Sequence, residues 1–212
     1  MGNFVGRSSF ILAYLPAPGL VKLRIGSFRG KVDSALIDEK IEALKMIIPE
    51  LIVGFGEDTL ALVTGRLLAN GKYTVGTVES CTAGSLAGAF VQNPGSSAYF
   101  KGSFLTYQTT LKTELLGISA DFIATNDVVS EAVAKAMAFE GRKKLKVDFC
   151  LSTTGIMGPS AGDSSHEVGS VWIGLAGPDG VKTATFKFGD NRTRNIEMTT
   201  LAALNMLRTT LL

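Results

Sequence analysis

The sequence predicts an α/β protein: a three-layer α/β/α domain with a mixed sheet, preceded by a small β-β-α-β segment. Three observations predict it. From Glu57 onward, helical apolar periodicity alternates with short runs of β-branched residues. One such run, Thr74 to Val78, stops at Glu79-Ser80 and turns into a small-residue helix. Strand ends of this kind are where α/β folds place reactive groups. The last two strand-like runs are joined over Pro178-Asp179-Gly180, a hairpin connection, so the sheet is mixed rather than all parallel.

In order, Phe10 to Leu15 reads as a strand and Pro16-Ala17-Pro18-Gly19 as a turn. Leu20 to Phe28 alternates, with Val21, Leu23 and Ile25 on one side, as a half-buried strand does. After a polar loop, Ser34 to Ile48 carries Leu36, Ile37, Ile41, Leu44, Ile47 and Ile48, a helical stripe that Pro49 ends. Leu51 to Phe55 reads as a short strand. Such a segment buries a core only marginally on its own. Gly56 is the expected joint, dividing the chain into 1–56 and 57–212.

Glu57 to Ala69 is amphipathic, opened by acidic residues and stopped at Gly71. The Thr74 strand follows, then a helix to about Gln92, broken by Asn93-Pro94-Gly95. Lys101 to Tyr107 is a strand. Thr109 to Leu116 is a short helix ended by Gly117, and Ser119 to Thr125 a further helical turn. Ser130 is a good N-cap for Glu131 to Leu145, whose basic cluster lies at the end the dipole favours. Val147 to Thr153 is a buried strand. Gly155 to Val168 is a Gly-rich loop. Ser170 to Ala176 and Val181 to Phe188 pair as the hairpin. The last helix, from about Arg192, turns Ile196, Leu201, Leu204, Leu207 and Leu211 toward the core.

Composition excludes several classes. A net charge of +2, from 21 basic and 19 acidic residues, offers no strong field for nucleic acid or an acidic membrane. No apolar run approaches the roughly 18 residues of a membrane span. The N-terminus is a poor signal peptide, and Gly6 breaks the myristoylation pattern that Met1-Gly2 opens. Two cysteines, Cys81 and Cys150, fit reduced thiols of a cytoplasmic protein better than a disulfide framework. The single histidine, His166, leaves no metal-ligand spacing and argues against a histidine base.

Phosphate-loop patterns are missing, although the Gly155-Ile156-Met157-Gly158-Pro159 turn after a strand could wrap a ligand or be an ordinary surface loop. Ser80 has two readings: a cap on the following helix, or a nucleophile beside free helix N–H groups. A nucleophile needs a base, and a lysine with a depressed pKa can serve. Lys112, among apolar neighbours, and Tyr107 just upstream form a chemically sensible set with Ser80; a surface lysine and a core tyrosine are the commoner explanation.

A resemblance adds to this. Val78-Glu79-Ser80-Cys81-Thr82-Ala83-Gly84, Pro94-Gly95-Ser96-Ser97-Ala98-Tyr99-Phe100, Tyr107 and Lys112 before Leu116-Gly117, Val129-Ser130-Glu131, Thr154-Gly155-Ile156 with Gly158-Pro159, and Val168-Gly169-Ser170-Val171 run in order along the chain. Together they resemble the C-terminal domain of the competence-damage protein CinA, a domain also found alone as nicotinamide-nucleotide amidohydrolase, PncC. The resemblance implies a cofactor-free, metal-free enzyme of pyridine nucleotide recycling. It would hydrolyse the carboxamide of nicotinamide mononucleotide to nicotinic acid mononucleotide and ammonia. It implies Ser80 as nucleophile, Lys112 as base, and Tyr107 and Ser97 as relay or positioning groups. Substrate contacts fall to Thr82, Gly84, Thr154, Gly155 and Arg192, with Gly-rich turns after Ser80 and Thr154 as N–H donors. Family members carry an Arg in a Gly-Asp-Arg turn. Here Gly189-Asp190-Asn191-Arg192 is followed by Arg194, so either the turn is longer or Asn191 replaces that Arg.

Ala13-Tyr14-Leu15-Pro16 and Leu20-Val21 with Leu23-Arg24 resemble the end of the KH-like middle domain of CinA. The segment lacks a Gly-x-x-Gly clamp, which argues against nucleic acid; a homodimer is the expected assembly. The loop after Pro159 departs from the family, with His166-Glu167 where members read Lys-Pro. His166 reads as a plain loop residue or a ligand contact. The rival to the enzyme is an inactive nucleotide- or partner-binding module of the same fold.

Overall fold

The computed structural model describes residues 10–162 and 164–212. The signal and myristoylation patterns begin in residues 1–9, and those residues, with Asp163, lie outside the description. The described residues form two compact units that part between Val53 and Gly54, against the joint expected at Gly56.

In the first unit, β1 (Phe10–Ala17) and β2 (Leu20–Ser27) pair antiparallel, from Phe10 opposite Ser27 to Ala17 opposite Leu20. The loop is thus Pro18-Gly19, and Gly19 supplies the positive φ (71°) that so short a hairpin connection requires. Asp33 is buried, where it accepts a hydrogen bond from the Ser27 hydroxyl. Helix α1 (Ser34–Ile47) turns Ile37, Ile41 and Leu44 to its half-buried face, whereas Leu36 and Ile47 are exposed. The expected strand at Leu51–Phe55 is not formed. Pro49 opens a 3-10 turn, Pro49–Leu51, and the described sheet here has two strands. A strand needs a neighbour for its backbone groups, and the fourth element has none in this sheet.

The second unit opens with α2 (Leu60–Gly71), later than the expected Glu57. Thr59 is its N-cap, its hydroxyl accepting from Leu62 N–H. Asp58 works outside the helix: its carboxylate accepts from Phe55 N–H and pairs with Arg66 at 2.6 Å. Those two contacts hold its carboxyl below the usual carboxylate range. Then follow β3 (Val75–Glu79), α3 (Ser85–Val91), β4 (Phe100–Leu105), α4 (Thr109–Leu116), α5 (Ala120–Asn126), α6 (Glu131–Leu145), β5 (Phe149–Gly155), β6 (Ser170–Gly177), β7 (Gly180–Lys187) and α7 (Arg192–Leu211). Ser119 and Ser130 cap α5 and α6 through their hydroxyls.

The sheet runs β4-β3-β5-β6-β7, parallel across β4, β3 and β5 and antiparallel from β5 to β7. Strand alternation assigns its two faces. Val78, Cys150 and Ala176 join Leu116, Ile123, Val133 and Met137 in a core under α4, α5 and α6. Gly141 lets α6 approach closely there, since a Cβ would meet Val78 Cγ2 at 2.3 Å. The other face packs on α3 and α7, with α2 behind them. Leu68, Phe90, Leu151, Ile173, Leu204 and Leu207 are fully buried in this unit, each contributing ~1.5–3 kcal/mol of transfer free energy.

Helix α7 departs from the expected stripe. Leu204 and Leu207 are buried, but Ile196, Leu201 and Leu211 are half-buried, and Asn195, Thr199, Thr200, Ala203 and Arg208 fill the inner face. The polar members are tolerable because they are bonded. Asn195 donates to Met157 O and Gly189 O, and Thr199 donates to Asn195 O. Among the described residues no helix is long and apolar enough to cross a membrane.

Candidate active site

The site lies at the carboxyl ends of the parallel strands. Glu79 ends β3, and Ser80 continues its line, donating its N–H to Thr153 O of β5 at 3.1 Å. The backbone then makes a tight turn in which Ala83 (φ 51°) and Gly84 (φ 94°) are both left-handed. Glycine takes that region freely; alanine adopts it at a cost of ~1–2 kcal/mol, sustained here by the surrounding contacts.

Helix α3 begins only at Ser85, with Gly84 as its N-cap. The reading of Ser80 as the helix cap is therefore corrected: Ser80 is separated from the helix by the whole turn. The cap is Glu79. Its carboxylate is fully buried and accepts from the N–H groups of Gly84 (2.9 Å), Leu86 (3.0 Å) and Ala87 (2.7 Å). The Thr82 hydroxyl donates to it at 2.7 Å and the Thr77 hydroxyl at 3.2 Å. A carboxylate at a helix N-terminus satisfies both the orphan donors and the dipole. The expected free N–H groups of this helix are consequently occupied.

On α4, Lys112 is fully buried. Its ammonium nitrogen donates to Thr106 O at 2.8 Å and to Ser80 Oγ at 3.2 Å. Burial pushes its pKa down to about 8, against a weaker opposing influence from Cys81. Neither contact is to a carboxylate, so little offsets the desolvation of the charged form. Cys81 lies beside Ser80 and also faces the cavity, but burial pushes its thiol up to about 12. It stays protonated at neutral pH and is no rival nucleophile.

Around Ser80 and Lys112 opens a cavity of about 170 Å³. Tyr107, Thr109, Val128, Thr154, Met157 and Arg192 contribute to its walls. Arg192 donates to Tyr107 Oη at 2.9 Å and to Gly158 O at 3.0 Å, tying together three segments distant in sequence. Thr154 donates to Val128 O at 2.7 Å, fixing another wall.

The structure thus brings Ser80, Lys112, Tyr107, Thr154, Gly155 and Arg192 together around one cavity. It does not bring Ser97, Thr82 or Gly84 to its walls. Ser97 is exposed on the 3-10 turn Ser96–Ala98 that precedes β4. Because β3 and β4 run parallel, with Val75 opposite Phe100 and Glu79 opposite Leu105, Ser97 lies at the far end of the sheet from Ser80. At ~3.3 Å per residue the length of β3 separates them, so the expected relay role is not available to Ser97 within one chain. Thr82 is fully buried and spends its hydroxyl on Glu79 and Thr153, and Gly84 N–H is held by Glu79.

Other expectations divide similarly. Asn191 is the N-cap of α7, accepting from Arg194 N–H, and Arg192 rather than Arg194 reaches the cavity. In the turn after Ser80, the amides of Cys81 and Thr82 donate to no oxygen of the described residues. Ile156 N–H is spent on Ser170 O. His166 does not line the cavity; its Nε2 lies 3.5 Å from the Asp127 carboxylate, without hydrogen-bond geometry. Sequence reasoning missed the role of Glu79. A glutamate ending a β-branched run was its signal, since a carboxylate buried in a sheet demands partners.

Comparison with known proteins finds relatives of this chain. Residues 57–211 match the model of the CinA C-terminal domain. A CinA-like protein of Flavobacterium psychrophilum is 45% identical over 200 residues, covering 92% of this chain and 48% of that protein. One from Cytophaga hutchinsonii is 38% identical over 199 residues, with 93% and 48% covered. The chain spans about half the length of these curated relatives. Among solved structures, a competence/damage inducible protein of Agrobacterium tumefaciens superposes with a TM-score of 0.67 at 30% identity, covering 74% of this chain and 99% of that one. A CinA superfamily protein of Klebsiella pneumoniae gives 0.70 at 24% identity, covering 72% and 95%, a likeness of fold.

Proposed function

The chain belongs to the CinA C-terminal domain family, and on that premise we propose that it is an amidohydrolase acting on the carboxamide of nicotinamide mononucleotide. The observation that carries the reading is the contact of Lys112 Nζ with Ser80 Oγ at 3.2 Å, made by a buried lysine whose pKa has fallen to about 8. A neutral amine within hydrogen-bond reach of a serine is a nucleophile–base pair.

Ser80 Oγ attacks the carboxamide carbon, and its proton passes to Lys112. The tetrahedral oxyanion is stabilised by N–H donors, for which Cys81, on the cavity wall in the Ser80 turn, is the candidate. Lys112 returns the proton to the amide nitrogen, the C–N bond breaks and ammonia leaves, with Ser80 held as an ester. Water then attacks the ester while Lys112 takes its proton and delivers it to Ser80 Oγ. The carboxylic acid departs and free Ser80 is regenerated.

The cavity supports a substrate bound by its reacting end. At about 170 Å³ it is smaller than sites that engulf a drug-sized ligand, roughly 300–1,000 Å³. The pyridine carboxamide would enter and the ribose phosphate remain at the mouth, where Arg192 supplies positive charge. The family resemblance further suggests a cytoplasmic homodimer, with the first unit as part of a KH-like middle domain.

The deciding experiment is ammonia release from nicotinamide mononucleotide by the wild type beside Ser80→Ala and Lys112→Ala. Release by the wild type and its loss in both variants is expected. No release by the wild type at any substrate concentration overturns the reading in favour of a binding module.

A further inference from the structure

We infer that Glu79 is a positioning residue for Ser80, acting through the turn that the two residues open. The inference rests on Ser80 being the nucleophile, as proposed above. Glu79 is fully buried at the end of β3, yet its carboxylate touches neither the cavity nor Lys112. Its partners among the described residues are donors on the α3 side: the N–H groups of Gly84, Leu86 and Ala87 and the hydroxyls of Thr82 and Thr77.

These bonds span Ser80. Behind it they hold β3, through Glu79 itself and Thr77; ahead of it they hold Thr82, Gly84 and the first turn of α3. The segment from Cys81 to Ala83 is therefore closed into a loop across the carboxylate. Thr82 adds a second tie, sharing a 2.8 Å hydrogen bond with Thr153 Oγ1, and Ser80 N–H is fixed to Thr153 O. Left-handed Ala83 is held against its own preference by the same ring of contacts. With both ends of the turn fixed, the Ser80 backbone is held where its Oγ meets Lys112.

The arrangement also separates two charges. A carboxylate facing Lys112 would favour the ammonium form and remove the base. Glu79 is adjacent to Ser80, but its oxygens are occupied on the opposite side of the sheet by helix amides. The α3 N-terminus is for the same reason closed to the substrate, and its positive end neutralises Glu79 instead.

The test measures Ser80 itself, independently of the natural substrate. Methanesulfonyl fluoride transfers its sulfonyl group to an activated serine with loss of fluoride, and intact mass with peptide mapping reads the rate at Ser80. Glu79→Gln retains the shape but turns an NH2 group toward amide donors. The expected result is at least a tenfold slower modification, with the shape of its pH dependence unchanged because Lys112 is untouched. Glu79→Asp, which restores a carboxylate, is expected to recover part of the rate. Where ammonia release is measurable, kcat falls and KM changes less than about threefold. Thr82→Val, nearly isosteric, removes one donor and is expected to slow modification several-fold, deciding the matter should Glu79→Gln not fold. Wild-type sulfonylation rates in folded Glu79→Gln, or in Thr82→Val if that variant alone folds, overturn the inference. Sulfonylation that depends on Glu79 in a protein that releases no ammonia supports the positioning role and overturns the substrate reading.

Discussion

Glu79 and Ser80 are neighbours in the chain but serve opposite faces of the sheet. Glu79 reaches α3 through three backbone N–H groups, and Ser80 meets Lys112 of α4. Strand alternation produces this division. It lets one strand end provide both the fixed support and the serine oxygen that meets Lys112, without a carboxylate beside the lysine.

Lys112 sets the pH dependence of the proposed reaction. Lys112 must be neutral to accept the Ser80 proton, and its pKa is about 8. Measured ammonia release is expected to rise about tenfold per pH unit below that value and to level above it. Lys112→Arg, permanently charged, is expected to lose roughly 10²–10⁴-fold of kcat/KM at every pH. A flat profile from pH 6 to 9 contradicts the assignment of the base.

Stability carries the same signature with a definite sign. The folded pKa of Lys112 is about 8 and the ordinary value 10.5. Between them the unfolded chain binds more protons, so stability rises with pH over that window. The cost is fully present below about pH 8 and is on the order of 3 kcal/mol. Lys112→Met removes this dependence. Chemical denaturation from pH 7 to 10 is expected to show wild type gaining on the variant only as pH rises above about 8; curves that stay parallel up to pH 10 refute the depressed pKa.

Arg192 and Arg194 stand two residues apart, but only the former borders the cavity, bonded to Tyr107 and Gly158. Arg192→Ala is expected to raise KM for the nucleotide about tenfold or more, from lost charge and loosened walls. Arg194→Ala is expected to stay within about twofold, since among the described residues its bond is from the backbone N–H to Asn191, which the substitution keeps. Steady-state kinetics of both variants separate them, and reversed effects would exchange their roles.

Ser97 provides a check from outside the site. It is exposed at the opposite end of the parallel strands from Ser80. Ser97→Ala is expected to keep kcat within about twofold. A loss beyond tenfold, recovered on mixing with inactive Ser80→Ala chains, would mean that a second copy supplies this serine.

Asp148 secures the entry to β3 and β5, accepting from Thr74 N–H at 2.7 Å and from its hydroxyl at 2.8 Å, while Thr74 Oγ1 accepts from Asp148 N–H. The backbone bond from Thr74 is the main influence holding its carboxyl below 3.8. Asp148→Ala is expected to cost ~1–3 kcal/mol in denaturant melts. Because the folded pKa is depressed, the charge-linked part is present above the ordinary value and disappears as pH falls through the folded one.

Much of the fold was legible because local patterns and tertiary structure agree. Ser130 caps the helix its position announced, Gly117 ends α4, and the hairpin turns over Pro178-Asp179. Other boundaries were not legible. Leu51 to Phe55 has strand-forming residues, but a strand requires an edge to join. Asp58 resembles the first turn of a helix, but its oxygens serve Phe55 and Arg66.

The candidate site divides along the same line. The sequence by itself determined the ingredients: one histidine and no metal-ligand spacing, a serine after a strand, a lysine among leucines, and an order of motifs that resembles one family. Tertiary structure alone decided which of them meet. Lys112 reaches Ser80 across 32 positions, and Arg192 reaches Tyr107 across 85, whereas Ser97, closer in sequence to Ser80 than either, is carried away by a parallel strand. The physical reason is that residue type fixes what chemistry a side chain can perform, while strand direction and the face a side chain occupies fix what it can touch.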